Sequence, residues 1–311
     1  MAGLPPWLFY TLLAAAFWGV WGVVTKVAAD AIPPLQNQLL FTIGLAPSAL
    51  WAAQSRPWKG EKGTKRTRGL GWGLLAGLLA ALGNLAVFAS LTAGGKAAIV
   101  IPLTSVYPLV TLLLAWLWLG ERLNAIQAIG LVVALPALLL LSGETSFLGR
   151  PGEFFRQLAL SKWLLYALVG MVFWGVFSVV QKVSTNHISA ELSYLAWCAA
   201  FLPIAGVILV TQTLHWGFSG KFVILALVAG ALNGFGVVAS FAAYSFQGKA
   251  AIVTPIAAAV QPVVTVLLAL AFLGERVESA EVVGLVLAIV AAVLLSLETP
   301  RNALPAQSDQ L

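Results

Sequence analysis

Charged residues are scarce in this sequence: Asp, Glu, Lys and Arg make up 9% of its 311 residues, and 60% are hydrophobic. A water-soluble domain carries about 25% charged residues, so the composition excludes an ordinary soluble protein. Apolar runs of about 18 residues or more, the length that crosses a bilayer as a helix, recur from end to end. The sequence therefore predicts an all-α membrane protein.

Reactive side chains are also few. Cys198 is the single cysteine, which excludes an internal disulfide, and both histidines, His187 and His215, lie near predicted span ends. The sequence shows no set of metal ligands, no nucleophile paired with a base and no glycine-rich phosphate loop. It thus predicts neither an enzyme nor a protein with a metal or another cofactor.

Acidic residues are missing from the middle of every predicted span. Proton relays and cation pumps generally place a carboxylate there, so this absence argues against proton-coupled export of cationic drugs. Trp, Tyr, Asn, Gln and Thr occur at those depths instead. We expect a cavity for a neutral or zwitterionic solute with an apolar part, such as an amino acid.

Basic residues are concentrated in one short segment, because six of the 17 Lys and Arg residues lie in the 54–69 loop. Such a stretch can indicate nucleic acid, but between apolar spans it is typical of a cytoplasmic loop. With that loop inside, ten basic residues face the cytoplasm and seven face the exterior. The distribution predicts that both termini are cytoplasmic and that nucleic acid is not a partner.

The chain contains ten segments that are apolar enough to be spans. They cover residues 7–29, 35–53, 70–92, 96–118, 124–142, 162–184, 190–212, 222–245, 250–272 and 278–296. Turn residues such as Pro33-Pro34 and Gly94-Gly95 separate most of them.

The two halves of the chain repeat one another. Residues 95–102 (Gly-Lys-Ala-Ala-Ile-Val-Ile-Pro) return as 248–255 (Gly-Lys-Ala-Ala-Ile-Val-Thr-Pro), and each copy runs through a second proline to a Gly-Glu-Arg turn. Trp18 and Gly19 are matched 156 residues later by Trp174 and Gly175. Five spans per half is an odd number, so the second half enters the membrane from the opposite side. The prediction is an inverted repeat, an architecture that many secondary transporters share.

Three features together resemble a known family, the drug/metabolite transporter superfamily of EamA type. They are Ala16-Phe17-Trp18-Gly19 in the first span, the segment from Lys96 to Leu-Gly-Glu-Arg at residues 119–122, and the duplication itself. The resemblance covers residues 7–298 and implies ten transmembrane helices, arranged as two five-helix inverted repeats that move a small solute between them. It leaves the substrate open, because family members carry amino acids, sugars, nucleotide precursors and drugs.

We therefore expect a first repeat at 1–142, a linker at 143–161, a second repeat at 162–298 and a cytoplasmic tail at 299–311. The expected function is export of a small metabolite by alternating access, in the plasma (inner) membrane. The expected partners are the lipid bilayer and the solute, and the expected state is a monomer or weak homodimer. A channel-like or lipid-moving protein, and an exporter of drugs or sugar derivatives, stand as alternatives.

Inverted-repeat transporters bind solutes near the bilayer midplane, at the interface between repeats. Polar or aromatic residues at mid-span, on one helical face, are therefore candidates for solute binding, and two lysines at span ends are candidates for an anionic group. The candidates are Trp18, Trp21, Asn84, Thr104, Tyr107, Thr111, Trp174, Asn233, Ser240, Tyr244, Gln261, Thr265, Lys96 and Lys249. Tyr107 and Gln261 are equivalent in the repeat, and each directly precedes a proline that frees a backbone carbonyl at mid-depth.

Each candidate also has a structural interpretation. Interhelical hydrogen bonds from Thr, Ser and Asn are common in membrane proteins, the tryptophans can be packing residues, and lysines at span ends can extend to the interface. Glycines at 19, 22 and 175 predict close helix approach. Glu121 and Glu275 are expected to cap the helix that follows each of them, or to pair with the adjacent arginine.

Overall fold

The computed structural model describes residues 4–54, 63–107, 109–110, 114, 124–141, 161–185, 187–245 and 250–297. Two candidate site residues, Thr111 and Lys249, lie outside these ranges, and so does the side chain of Tyr244. The expected linker at 143–161 and tail at 299–311 lie almost wholly outside them as well.

The described residues form helices joined by short connections, with no strand among them. In the first half they are α1 (Pro6–Ala29), α2 (Pro34–Gly44), α3 (Ala46–Gln54), α4 (Thr64–Thr92), α5 (Ala97–Thr104) and α6 (Ala125–Leu141). In the second half they are α7 (Lys162–Thr185), α8 (Ala190–Ala199), α9 (Phe201–Thr211), α10 (Gly220–Ser245), α11 (Ala250–Leu268), which continues as a π-helical turn (Ala269–Leu273), and α12 (Ser279–Ser296). The fold is thus all-α, as the composition predicts.

Within these ranges, six helical segments are long and apolar enough to cross a membrane. They are Pro6–Ala29, Thr64–Thr92, Lys162–Gln181, Ala190–Thr211, Gly220–Ser240 and Ile256–Leu273. Their outward surfaces carry large apolar side chains: Val210 is 87% exposed and Phe272 is 77% exposed. Contiguous apolar surface of this kind is unfavourable in water and favourable in lipid.

A bend interrupts the second predicted span in each half. The first half divides into α2 and α3 at Leu45, two residues before Pro47, and the second half divides into α8 and α9 at Ala200, three residues before Pro203. Proline has no N–H group, so the carbonyl four residues earlier loses its helical partner and the helix bends.

The most extensive contacts join helices of one half to helices of the other, and they occur in matched pairs. Helix α1 packs on α10 and α11, and its repeat equivalent α7 packs on α4 and α5. Helix α2 packs on α10 while α8 packs on α4, and α6 packs on α12. The hydrophobic core lies between the halves and includes Trp21, Phe41, Phe88 and Phe201.

Glycines allow the closest of these helix crossings. A Cβ atom at Gly19 would lie 2.5 Å from Cβ of Val264, and one at Gly175 would lie 2.5 Å from Cβ of Val110. A Cβ atom at Gly22 would lie 2.9 Å from Cγ1 of Ile101. The prediction of close helix approach at these three glycines is confirmed.

Candidate functional site

One end of the helix bundle is held together by contacts within the first half and between the two halves. The hydroxyl of Thr92, at the end of α4, donates to the carbonyl of Ala29, at the end of α1 (3.0 Å). The Lys96 ammonium, just before α5, donates to the carbonyl of Arg276 (2.9 Å) and lies 3.5 Å from a carboxylate oxygen of Glu281. Lys96 is therefore held by protein groups, although its side chain is 41% exposed.

Glu275 closes this end further. Its two carboxylate oxygens accept hydrogen bonds from the backbone N–H groups of Ala97 and Ala98, both at 2.9 Å. These N–H groups belong to the first turn of α5, where an anion is favoured by unpaired donors and the helix dipole. Glu275 was predicted to cap the helix that follows it or to pair with Arg276. The cap was wrong, because Glu278 and Glu281 form the capping box of α12, and the described residues include no ion pair between Glu275 and Arg276. Glu121 lies outside the described residues. We call the surface formed by Lys96, Ala97, Glu275 and Glu281 the closed end.

Three of the candidate residues meet in the interior, and we call them the central polar cluster: Trp21, Asn84 and Trp174. The rings of Trp21 and Trp174 lie 5.8 Å apart, and Nε1 of Trp174 donates to Oδ1 of Asn84 (3.2 Å). Trp21 and Asn84 are almost fully buried. Nevertheless, Nε1 of Trp21 and Nδ2 of Asn84 have no hydrogen-bond partner among the described residues. An unpaired buried donor costs about 1–3 kcal/mol, so these groups are favourable places for a polar ligand.

The two mid-span tryptophans occupy equivalent places. The indole of Trp174 packs over Gly83 of α4, and the indole of Trp18 packs over Gly236 of α10. Each tryptophan thus fills the space above a glycine of the other half, which is the packing role that the sequence left open for them. Trp174 contacts the central polar cluster as well.

Hydroxyl groups of several candidates are engaged by the backbone. Thr265 donates to the carbonyl of Gly19 across the α1–α11 crossing (2.9 Å). Thr104 bonds to Val100 on its own helix (2.8 Å), and Ser240 bonds to Val237 in the same way (2.7 Å). These contacts correspond to the interhelical and intrahelical bonds expected of such residues in membranes.

The other candidates lie at the helix crossings or nearby. Tyr107 and Gln261 are half-buried, and their carbonyl oxygens face the equivalent glycines, Gly175 and Gly19. Asn233 is 9% exposed on α10, so it is largely buried. Among the described residues, no group of three His, Cys, Asp or Glu side chains is placed to hold a metal ion.

A cavity of about 670 Å³ opens at the other end of the bundle, between α1, α3, α8 and α10. Its wall includes the aromatic side chains of Tyr10, Phe17, Trp51, Tyr194 and Phe235, together with Glu191. We call it the aromatic cavity. It lies near the starts of α1 and α8 and the ends of α3 and α10, whereas the closed end lies at the end of α1. The two features therefore occupy opposite ends of the bundle.

The aromatic cavity and the central polar cluster share one face of α1. Tyr10, Phe17 and Trp21 are spaced at i, i+7 and i+11, which places them in one stripe along the helix. Tyr10 and Phe17 line the cavity, and Trp21 lies one turn deeper, against Trp174. Sequence reasoning missed Tyr10, Phe17 and Glu191. The stripe on α1 is a signal that could have identified the first two. Glu191 lies at the start of its helix, far from the mid-span depth of most candidates.

Comparison with known proteins gives three findings. A model of the EamA-like transporter family matches twice, at residues 5–143 and 161–297. An uncharacterized protein of Methanocaldococcus jannaschii is 30% identical over 131 residues, which are 42% of this chain and 92% of that protein. The aligned length is close to the length of each of the two segments that the family model matches. A solved structure, titled only as the crystal structure of a protein, has a TM-score of 0.59 at 21% identity, covering 92% of this chain and 94% of that one. It shows similarity of fold.

Proposed function

Because the chain belongs to the EamA-like transporter family, a family of membrane transporters for small solutes, we propose that it is a secondary transporter that works by alternating access. The solute we propose is a small metabolite with an apolar part, an amino acid or a similar neutral or zwitterionic molecule, moved outward across the plasma membrane. The observation that carries this proposal is the opposition of an open and a closed end in one bundle.

The closed end supplies the barrier that such a mechanism needs. The Glu275 carboxylate and the Lys96 ammonium join the start of α5 to the segment between α11 and α12. To expose the centre on that side, these hydrogen bonds must break and their groups must be rehydrated. Partly exposed polar contacts of this kind are individually weak, so they can open and close within a transport cycle.

The matched helix contacts support the finer architecture. We propose ten spans in two inverted five-helix repeats, with the domain limits given above. Helix α1 crosses α11 at Gly19 while α7 packs at Gly175 against Tyr107 and Val110, which follow α5, and the tryptophan–glycine contacts repeat in the same way. Alternating access in such folds exchanges the two halves between equivalent arrangements, and the matched contacts provide equivalent surfaces.

We propose that the solute reaches the central polar cluster from the aromatic cavity. The unpaired donors on Trp21 and Asn84 then bind its polar groups, and the aromatic rings contact its apolar part. Tyr107 and Gln261 remain predicted contributors from the two crossings. The cytoplasmic end is the one with the basic loop after α3, so the cavity faces the cytoplasm in this arrangement.

The test of transport is tracer counterflow into proteoliposomes that contain the purified chain, with a panel of amino acids and related metabolites. Saturable counterflow of at least one solute is expected of a secondary transporter. Current or flux that rises linearly with concentration, without saturation, would support a channel instead.

The test of topology is labelling of a cysteine introduced at Gly63, in a Cys198→Ala background. We expect an impermeant thiol reagent to leave it unlabelled in intact cells and to label it after lysis. Ready labelling in intact cells would contradict cytoplasmic placement of the 54–69 loop.

A further inference from the structure

The aromatic cavity carries one carboxylate, that of Glu191, among otherwise apolar and aromatic walls. No Lys or Arg side chain is among the described residues that line the cavity. Glu191 also has no hydrogen-bond or ion-pair partner among the described residues. A carboxylate with free acceptor oxygens on such a wall is complementary to a cation with an apolar body.

Glu191 stands in the first turn of α8, where an acidic residue can simply favour the helix dipole. The capping hydrogen bond at this helix start is made by Ser189, whose hydroxyl accepts from the N–H of Leu192 (3.4 Å). Glu191 itself accepts no backbone bond at this helix start among the described residues. Its carboxylate is thus available to the cavity.

The aromatic rings that line the cavity beside Glu191 also favour a cation. Tyr10, Trp51 and Tyr194 line the cavity with Glu191, and Tyr194 is one turn further along α8. Aromatic faces attract ammonium groups through their quadrupoles, most strongly where water is excluded. Phe17 and Phe235, whose ring centroids are 6.2 Å apart, provide an apolar wall for the remainder of the molecule.

We infer that the aromatic cavity is the cytoplasmic entry site for solutes that carry an ammonium group beside an apolar or aromatic body, and that Glu191 binds the ammonium. This inference rests on the proposed transport function and deepens it. It names the chemical feature that the solute must present, a protonated amino group, and the residue that selects it. A volume of about 670 Å³ is within the usual range for small-molecule sites, about 300–1,000 Å³.

The experiment measures binding, without transport, by calorimetry on the purified full-length chain in lipid nanodiscs at neutral pH. The probes are 2-phenylethylammonium and its uncharged counterpart 2-phenylethanol, which differ at the polar group and share the apolar body. We expect the ammonium to bind at least about tenfold more tightly than the alcohol, because a hydrogen bond between charged groups is stronger than one that involves a neutral hydroxyl.

Glu191→Gln is expected to lower the affinity for the ammonium by about tenfold and to leave that for the alcohol unchanged. Glu191→Asp should retain the preference for the charged probe. Asp30→Asn is the matched control, because it removes one negative charge from an exposed site at the other end of α1, and it should change neither affinity.

Equal affinity of the two probes for the wild-type chain would overturn the inference and indicate an apolar pocket, such as one for an acyl chain. Unchanged ammonium affinity in Glu191→Gln would overturn it too. If that variant does not fold, the comparison of probes on the wild-type chain still decides. Saturable counterflow of metabolites can persist in either case, so failure of this inference is distinguishable from failure of the proposed transport.

Discussion

Glu275 accepts a hydrogen bond from the backbone N–H of Ala97 across 178 residues of sequence (2.9 Å). The contact places an acidic residue of the second half at the start of a helix in the first half. With the second bond to Ala98, one side chain satisfies two of the four N–H groups that every helix start leaves unpaired. It thus links the stability of α5 to the position of the second half.

Glu275→Gln tests this link. A glutamine keeps one acceptor oxygen but presents an NH₂ group to the second backbone donor, and it removes the charge that the helix dipole favours. We expect the free energy of unfolding to fall by about 1–2 kcal/mol, measured by thermal or denaturant unfolding in detergent. Asp30→Asn, which removes an exposed charge from the pair with Lys26, should have little effect. Equal stability of the two variants would contradict the capping role.

Gly19→Ala tests the α1–α11 crossing. The added methyl group would lie 2.5 Å from Val264, so the helices must separate or the side chain must shift, at a cost of about 1–3 kcal/mol. Gly175→Ala should cost a similar amount, because the same distance separates it from Val110. The measurement is thermal unfolding of both variants.

Gly71→Ala is the matched control for these two substitutions. A Cβ atom there meets no atom within 4 Å, and alanine favours a helix over glycine by up to about 1 kcal/mol. Its stability should equal or exceed that of the wild-type chain. If Gly19→Ala were as stable as Gly71→Ala, the crossing would not be close in the folded protein.

Ser48 and Tyr194 form the third testable contact, a buried hydrogen bond between hydroxyls 2.6 Å apart that joins α3 to α8. Ser48 also donates to the carbonyl of Leu45 (2.8 Å), so Tyr194 is the donor in the pair. Tyr194→Phe should lower the free energy of unfolding by about 0.5–1.5 kcal/mol.

A double-mutant cycle with Ser48→Ala separates this bond from other effects. If the hydroxyls interact, the loss in the double variant will be smaller than the sum of the two single losses. Tyr166→Phe removes a hydroxyl from a side chain that is 38% exposed and serves as the control. Strict additivity of the two buried substitutions would mean that the hydroxyls do not interact.

Sequence patterns predicted the helices well, because membrane spans depend on local apolar content. The segment 7–29 is a helix at Pro6–Ala29, and 222–245 is one at Gly220–Ser245. The close approach at Gly19 and Gly175 was also predictable, since small residues at mid-span let the backbone of a neighbouring helix come close. The bends at Leu45 and Ala200 lie just before Pro47 and Pro203, which interrupt the helical hydrogen bonds.

The partners of these helices were not predictable in the same way. Which helix crosses Gly19, and which helix start receives Glu275, depends on contacts between residues more than 170 positions apart. No local pattern encodes such a pairing. Depth was also a poor guide to Glu191, because the candidates other than the two lysines lie near mid-span, whereas the aromatic cavity lies at the helix ends.

Thr25 and Thr265 are both fully buried, but in the described part of the chain only one of them has a hydrogen-bonded hydroxyl. Thr265 donates to the carbonyl of Gly19, whereas the hydroxyl of Thr25 has no partner among the described residues. Thr25 lies one turn beyond Trp21 on the same face of α1. Valine has nearly the shape of threonine without the hydroxyl, so Thr25→Val and Thr265→Val form a matched pair.

Thr265→Val should lower the free energy of unfolding by about 0.5–1.5 kcal/mol and leave solute affinity near the wild-type value, because its hydroxyl holds two helices together. Thr25→Val should leave stability unchanged or raise it, because an unpaired buried hydroxyl is removed. If that hydroxyl serves the solute, affinity should fall about threefold or more. Melting temperature and counterflow measured on the same preparations separate these outcomes. A Thr25→Val variant that loses stability while transporting normally would show that its hydroxyl is structural and takes no part in solute binding.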